Sequence, residues 1–342
     1  MNLGVDLGTS RVVIYDPTAG VVLDEPAVIA VSRDDGHVIA CGEEAQRMLG
    51  RTPESILAVR PVQNGVIAEY EMAEKLMRHC LARVCSNRIT KPCVAVSVTG
   101  QITEVERRSF IDAVYSAGTR RVTLVPETVA AAIGAGMDVS LPCGQMIVNV
   151  GGGTVDASVL SLKGEAVTAS ARGAGGAMDE AIVRYVRNQY GLVISEPYAE
   201  RLKMKLGCAL PVEPVLTAEA KGRDSLSGLP RMITVTSDEI CEAIREPLYE
   251  LLETVQQVLE VTPPELAGDI MENGICLTGG LAQLPRLTDL IQRATGIRCY
   301  VAEDPVRCVA IGAGKALQFA SSFSAVYDLG NYAYRLSDNV TN

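Results

Sequence analysis

The sequence predicts an α/β fold made of two halves of similar plan, and three observations carry that prediction. Strands alternate with amphipathic helices along the chain, as they do when helices cover a sheet. A strand, glycine turn and strand at the N-terminus return in mid-chain, Leu3-Gly4-Val5-Asp6, Gly8 and Val12-Val13-Ile14-Tyr15 being answered by Met146-Ile147-Val148-Asn149, Gly151-Gly152-Gly153-Thr154 and Ala157-Ser158-Val159-Leu160. The length, 342 residues, suits two domains or one large bilobal unit.

Each element has a local cause. Between the two copies, residues 69–84 carry Met72, Leu76, Cys80 and Val84 at helical spacing. Thr103 with Glu106 makes a capping box for a helix that carries Phe110, Ile111 and Val114 and stops at Gly118. In the second half, residues 178–190 place Ile182, Tyr185 and Val186 on one face and end at Gly191, and residues 196–206 form a second amphipathic segment ending at Gly207. Thr236 with Glu239 caps the longest helical pattern, which runs to about Leu259 and which Pro247 should kink or split. Residues 209–231, with Pro211, Pro214, Gly222, Gly228 and Pro230, read as an irregular hairpin or loop, and a polar tail follows Ser321.

Composition excludes several functions. The chain has no Trp and three Phe, so base stacking on aromatics is poorly provided for. A net charge of -10 has the wrong sign for general attraction to nucleic acid or anionic membranes. Any polyphosphate ligand must therefore be met by local amides, a cation, or both. With two histidines, His37 and His79, metal sites and acid–base schemes built on His have few places to form. The ten cysteines include no C-x-x-C pair and sit among apolar residues, as buried reduced thiols do. The start lacks the basic and apolar segments of a signal peptide, and no apolar run approaches the length of a spanning helix, so a cytoplasmic, soluble chain is expected.

Three glycine loops carry the chemistry. Asp6-Leu7-Gly8-Thr9-Ser10 combines a carboxylate at a strand end, suited to a hydrated cation, with a turn that offers N–H groups and hydroxyls to phosphate oxygens; the same string also occurs in ordinary hairpins. Gly151-Gly152-Gly153-Thr154 adds a second turn, whose three glycines would weaken a strand unless backbone had to come close to something. Leu277-Thr278-Gly279-Gly280 follows an apolar strand and precedes a helix near Pro285, either as an adenine site or as a tight strand-to-helix turn. Glu200 and Lys203, three apart, read alone as a surface ion pair, and Glu127 as a helix-start residue that offsets the dipole.

Those loops, in this order and spacing, resemble the actin/Hsp70/sugar-kinase superfamily, and the flanking text is similar to the MreB/Mbl family of bacterial actin homologues over nearly the whole chain. The matching strings include Arg60-Pro61-Val62-Gln63-Asn64-Gly65-Val66-Ile67-Ala68, Glu104-Val105-Glu106-Arg107-Arg108, Ala130-Ala131-Ala132-Ile133-Gly134-Ala135-Gly136, Met178-Asp179-Glu180-Ala181-Ile182, Thr262-Pro263-Pro264-Glu265-Leu266-Ala267, and Ala302-Glu303-Asp304-Pro305 with Cys308-Val309-Ala310. The resemblance implies an actin-like bilobal fold, with residues 1–140 and a returning 315–342 in one lobe and 141–314 in the other, and with ATP and Mg²⁺ in the cleft between them. It implies phosphate contacts from Asp6, Gly8, Thr9, Ser10, Arg11, Asn149, Gly151, Gly152, Gly153 and Thr154, and nucleoside contacts from Glu200, Lys203, Thr278, Gly279 and Gly280. Asp6 and Asn149 would meet the metal through water, and Glu127 would position the attacking water.

The sequence departs from the family at several of these places. Asn149 stands where the second phosphate loop usually begins with Asp, and Val155 where a second Thr is usual, and both changes weaken hydrolysis. Arg11-Val12 replaces Asn-Thr, and Leu281 a third glycine; Arg11 either brings a fixed charge to the phosphates or points to solvent. The resemblance implies a slow Mg-dependent ATPase that polymerises, as an antiparallel double protofilament, at the inner face of the cytoplasmic membrane and directs cell shape with cell-wall synthesis and elongation proteins, without nucleic acid. Ile89, flanked by Arg88 and Lys91, is the implied membrane contact, against an ordinary solvated loop. The rival functions are a small-molecule phosphotransferase of the superfamily and a non-polymerising ATP-binding paralogue or nucleotide-dependent chaperone.

Overall fold

The computed structural model describes residues 1–86 and 90–317 and the backbone of 327–328. It divides into two compact units, one of residues 1–143, 160–166 and 306–342, the other of residues 144–159 and 167–305. The Ile89 position and most of the returning 315–342 segment lie outside the described residues.

The first unit is built on a six-stranded sheet. Asn2–Leu7 lies at its heart, parallel to Cys93–Val98, which is in turn parallel to Arg121–Pro126; Arg11–Asp16 and Gly20–Pro26 continue antiparallel on the other side. Because side chains alternate along a strand, Leu3 and Val5 face the cluster that holds Leu76, Met77 and Phe110, from the helices Tyr70–Val84 and Glu104–Ser116. Gly4 faces the other way, where a Cβ would come within 2.2 Å of the Ala310 oxygen in the helix Cys308–Ala316. That helix also lies backbone to backbone on Glu127–Gly134: a Cβ on Gly312 would sit 1.7 Å from the Ala130 oxygen, and one on Gly134 1.8 Å from the Cys308 oxygen. A smaller antiparallel sheet, with Ile29–Ser32 between Val38–Cys41 and Ile56–Val59, packs with the helix Glu43–Met48 in the same unit.

The second unit repeats the plan. Its five-stranded sheet runs in the order Gly164–Arg172, Thr154–Ser161, Gln145–Val150, Ile275–Thr278, Cys299–Val301, the last three parallel. Met146, Val148 and Val150 meet Met178, Ile182 and Val186 of the helix Ala174–Tyr190 and Leu251, Val255 and Val258 of Arg245–Val261 in one core. Gly191 closes the first of these helices in the left-handed conformation, φ 61°.

Two local expectations meet the structure in different ways. The pattern around Pro247 splits at Ile244 into Ser237–Ala243 and Arg245–Val261, and Pro247 then falls in the first turn of the second helix, where no N–H is needed. Residues 209–231 are more regular than their glycines and prolines suggest: Thr217–Asp224 pairs antiparallel with Pro230–Thr236 in unbroken register from Thr217 opposite Thr236 to Arg223 opposite Pro230. Pro230 is tolerated because it opens a strand at the sheet edge.

Candidate functional site

Each unit carries one of the two phosphate-type turns, closed by the same hydrogen bond. In the first, the Gly8 N–H donates to the Arg11 oxygen at 3.0 Å; in the second, the Gly151 N–H donates to the Thr154 oxygen at 2.8 Å. The duplicated sequence pattern is thus a duplicated backbone structure.

In the first unit, the Thr9 hydroxyl accepts a 3.4 Å hydrogen bond from the Gly65 N–H. Gly65 belongs to a tight hairpin, Val62–Gln63 with Val66–Ile67, in which Asn64 and Gly65 both have positive φ, 49° and 75°. An Asn-Gly dipeptide between apolar residues is the sequence signal for such a turn. Ser97, on the neighbouring parallel strand, donates its hydroxyl to Asp6 at 3.3 Å. Burial pushes the Asp6 carboxyl up to about 6, the Ser97 bond opposing the rise and the charge of Asp24 adding to it. A cation beside Asp6 would reverse that balance. Among the described residues no three His, Cys, Asp or Glu side chains converge on a metal position. A Mg²⁺ here would draw most of its ligands from water and phosphate, its usual preference.

Arg11 takes neither of the two destinations left open by the sequence. Its guanidinium binds Asp24 on the next strand, Nε to Oδ1 at 2.7 Å and Nη2 to the main-chain oxygen at 3.1 Å. Arg307 completes the cluster, its Nε donating to the other oxygen of Asp24 at 2.9 Å. Burial works against the Asp24 charge, but hydrogen bonds from Arg307 and Arg11 overcome it and hold the carboxyl below its ordinary range. Glu127 opens the helix Glu127–Gly134 in its first turn, where its charge offsets the helix dipole.

In the second unit, the Gly151–Gly153 turn is organised by the start of the helix Ala174–Tyr190. The carbonyls of Gly151, Gly152 and Gly153 accept from the N–H groups of Gly175 (3.3 Å), Gly176 (2.7 Å) and Gly173 (2.7 Å). Helix-start donors that have no partner within their own helix are satisfied by the loop, which explains why a glycine-rich stretch begins the helix four residues before Met178. With its carbonyls drawn to this side, the turn presents its peptide N–H edges on the opposite one. Lys203, on the helix Glu196–Leu206, braces the assembly: its Nζ lies 2.8 Å from Asp179 and donates to the Gly175 oxygen at 2.7 Å. Both side chains of this pair are about nine-tenths buried, so Lys203 is no surface ion-pair residue, and Asp179 is a partner that the sequence did not reveal. Glu200 lies one turn earlier on the same helix, half-buried.

The third loop is fitted to the second. Asn149 is buried at the end of its strand, and its amide oxygen accepts the Thr278 hydroxyl at 3.2 Å. Gly279 has φ 85°, and a Cβ there would lie 2.2 Å from the Val150 oxygen and 2.9 Å from Asn149 Oδ1, so no other residue fits. Gly280 begins a short 3-10 turn, Gly280–Gln283, and the following helix is Leu287–Thr295. Thr278 is wholly buried and acts on Asn149; Gly279 is buried too and donates its N–H to the Pro305 oxygen at 2.8 Å, so the exposed backbone of this loop is that of Gly280. Within the first unit the Asp6 carboxylate and the Gly8–Ser10 turn, and within the second the Gly151–Thr154 turn with Asn149, each offer groups suited to a polyanion or its cation.

Comparison with known proteins gives these features relatives. The MreB/Mbl protein family profile matches residues 1–325. The cell shape-determining protein MreB of Escherichia coli strain K12 is 46% identical over 323 residues, 93% of either chain. The cell shape-determining protein Mbl of Bacillus subtilis strain 168 is 41% identical over 317 residues, 92% of this chain and 95% of that one. The crystal structure of MreB5 of Spiroplasma citri bound to AMPPNP superposes with a TM-score of 0.88 at 32% identity, covering 94% of this chain and 96% of its own. The MamK double helical filament shares the fold, with a TM-score of 0.79 at 19% identity over 93% of this chain and 98% of its own. With the actin-like fold and the sequence likeness both spanning more than nine-tenths of its length, this chain belongs to the MreB/Mbl family.

Proposed function

We propose that this protein is an actin-like, cell shape-determining cytoskeletal protein that binds ATP with Mg²⁺ and assembles into filaments. The observation that supports it most directly is the Gly151–Gly153 turn, with its carbonyls engaged by the helix start and Gly279 fitted against Val150, in a family that includes a nucleotide-bound MreB5. The phosphates are met by the turns Gly8–Ser10 and Gly151–Thr154, through the amides that their closing hydrogen bonds leave available, and the nucleoside by Gly280 and Glu200 beside Gly279. Lys203 and Thr278 hold these groups in place from behind, and Arg11 stays on Asp24. Asp6 fits the water shell of Mg²⁺, with Asn149 as a second, uncharged partner; the metal would supply charge neutralisation at the phosphates.

Glu127 is the residue proposed to orient the attacking water, and turnover is slow because Asn149 lacks a carboxylate's charge and Val155 offers no hydrogen bond. The filament is proposed to be an antiparallel double protofilament, lying at the inner face of the cytoplasmic membrane and working with cell-wall elongation proteins. Sedimentation and electron microscopy of the purified protein with ATP, ADP and no nucleotide test this reading. Filaments are expected with ATP and Mg²⁺; monomers in every nucleotide state across a wide concentration range would overturn it.

A further inference from the structure

One device recurs in the two units, each time two residues before a glycine turn. In the first unit, Asn2–Leu7 runs parallel to Cys93–Val98 with Val5 opposite Val96, so the next residues along are Asp6 and Ser97. The Ser97 hydroxyl donates to Asp6 Oδ1 at 3.3 Å. In the second unit, Gln145–Val150 runs parallel to Ile275–Thr278 with Asn149 opposite Thr278, and the Thr278 hydroxyl donates to Asn149 Oδ1 at 3.2 Å. Both hydroxyls are buried and stand near the carboxyl end of strands that are otherwise apolar, Cys-Val-Ala-Val-Ser-Val and Ile-Cys-Leu-Thr. Burying a hydroxyl is costly unless it has an acceptor, and in each unit the acceptor is the side chain that ends the neighbouring strand. That edge is where an open α/β sheet receives a ligand. In the first unit the turn also closes over the oxygen that Ser97 holds, since a Cβ on Gly8 would lie 3.5 Å from Asp6 Oδ1.

We propose that Ser97 is a positioning residue for Mg²⁺: by holding Oδ1 it fixes the Asp6 carboxylate so that Oδ2 serves the water shell of the metal, as Thr278 fixes the Asn149 amide in the second unit. The proposal rests on the Mg-ATP reading above and adds to it a residue that lies outside the three glycine loops. A carboxylate turns easily about its last torsion, whereas Mg²⁺ keeps its waters in near-ideal octahedral geometry, so an acceptor for those waters must be set in advance. Partners that orient a metal's carboxylates from behind are commonly worth ten- to a hundredfold in metal affinity. At 3.3 Å this bond is long for a hydroxyl donor, which puts Ser97 at about the lower of those figures.

The test is calorimetric titration of the full chain with ATP, in Mg²⁺ and in EDTA and at concentrations below assembly, for the wild type, S97A, D6N and S97A/D6N. Thermal melts of each nucleotide-free protein run in parallel. The wild type should bind ATP more tightly in Mg²⁺ than in EDTA. S97A should weaken binding about tenfold in Mg²⁺ and less than about twofold in EDTA, and beside D6N it should change neither value by more than about twofold. S97C, which keeps a weak donor, should fall between the wild type and S97A, and it carries the same comparison should S97A melt early. An S97A loss that is equal in Mg²⁺ and EDTA, or that persists in full beside D6N, makes Ser97 a packing residue and overturns the proposal. Wild-type affinity for Mg-ATP in S97A overturns it too, while leaving the Mg-ATP reading in place. A wild type that binds ATP equally well with and without Mg²⁺ refutes the metal part of that reading, and the proposal with it.

Discussion

Replacing Lys203 with Met should destabilise the second unit strongly, and replacing Asp179 as well should undo most of the damage. Lys203→Met retains the apolar stem but removes the ammonium, leaving the Asp179 carboxylate in a site where its side chain is 11% exposed. Breaking a buried ion pair from one side costs about 3–5 kcal/mol. Losing the donor to the Gly175 oxygen adds roughly 1 kcal/mol. A domain of this size has about 5–15 kcal/mol in all, so the single variant should approach the edge of stability. In K203M/D179L no charge is left stranded, and the double variant should return to within about 2 kcal/mol of the wild type. The assay is urea unfolding of all four members of the cycle, with hydrogen exchange on peptides from residues 174–190 to localise the loss. ATP affinity should fall in both variants that lack Lys203, because the helix start that holds Gly151 to Gly153 is released. A Lys203→Met penalty under about 1 kcal/mol, or a double variant as unstable as the two single losses added, would refute the brace.

Four further outcomes follow from the same geometry. Asp6→Asn should stabilise the nucleotide-free protein at pH 7 by roughly 1–3 kcal/mol and weaken Mg-ATP binding: a carboxyl raised from 3.8 to about 6 favours the folded state below pH 4 and loses that contribution as pH rises to 6. Parallel chemical denaturation at pH 4.5 and 7 should show the gain at the higher pH. Arg11→Ala should leave ATP affinity nearly unchanged and cost about 1 kcal/mol or less, since Arg307 still neutralises Asp24, and calorimetric titration checks it. Glu127→Ala should abolish phosphate release at near-normal ATP affinity, and Asn149→Asp should raise the rate, as a coupled phosphate assay would report; brisk turnover that ignores Glu127→Ala would assign the water to another residue. Gly312→Ala should cost 1–3 kcal/mol or more through its clash with the Ala130 carbonyl, whereas Gly268→Ala, in the helix Pro264–Asn273 with open space around it, should gain about 1 kcal/mol in thermal melts.

What the sequence disclosed was local. The capping boxes at Thr103 with Glu106 and Thr236 with Glu239 form as the three-residue spacing requires, because both partners lie in one turn of chain. The two glycine turns were legible because each is closed by its own four residues. Partners far apart in sequence were not: Asp24 binds Arg11 across 13 residues and Arg307 across 283, and Lys203 reaches Gly175 across 28. The regular hairpin beyond residue 216 was hidden because Thr-Ala-Glu-Ala-Lys-Gly has little strand preference; burial of Ala218 and Ala220 and pairing with Pro230–Thr236 decide it. The ten cysteines are free thiols, and burial pushes Cys80 up to about 12 and Cys41 to about 11, as apolar surroundings dictate.

The helix Cys308–Ala316 lies directly on Asn2–Leu7, the first strand of the chain. During synthesis that strand leaves the ribosome ahead of its covering helix and waits for it through about 300 residues, almost all of the second unit among them, roughly fifteen to sixty seconds at ordinary rates. The second unit lies almost wholly in an unbroken stretch and can close first. The order of maturation therefore runs against the order of emergence, and Gly4, which has no side chain, gives the nascent strand a bare backbone surface where a late partner can settle without displacing anything.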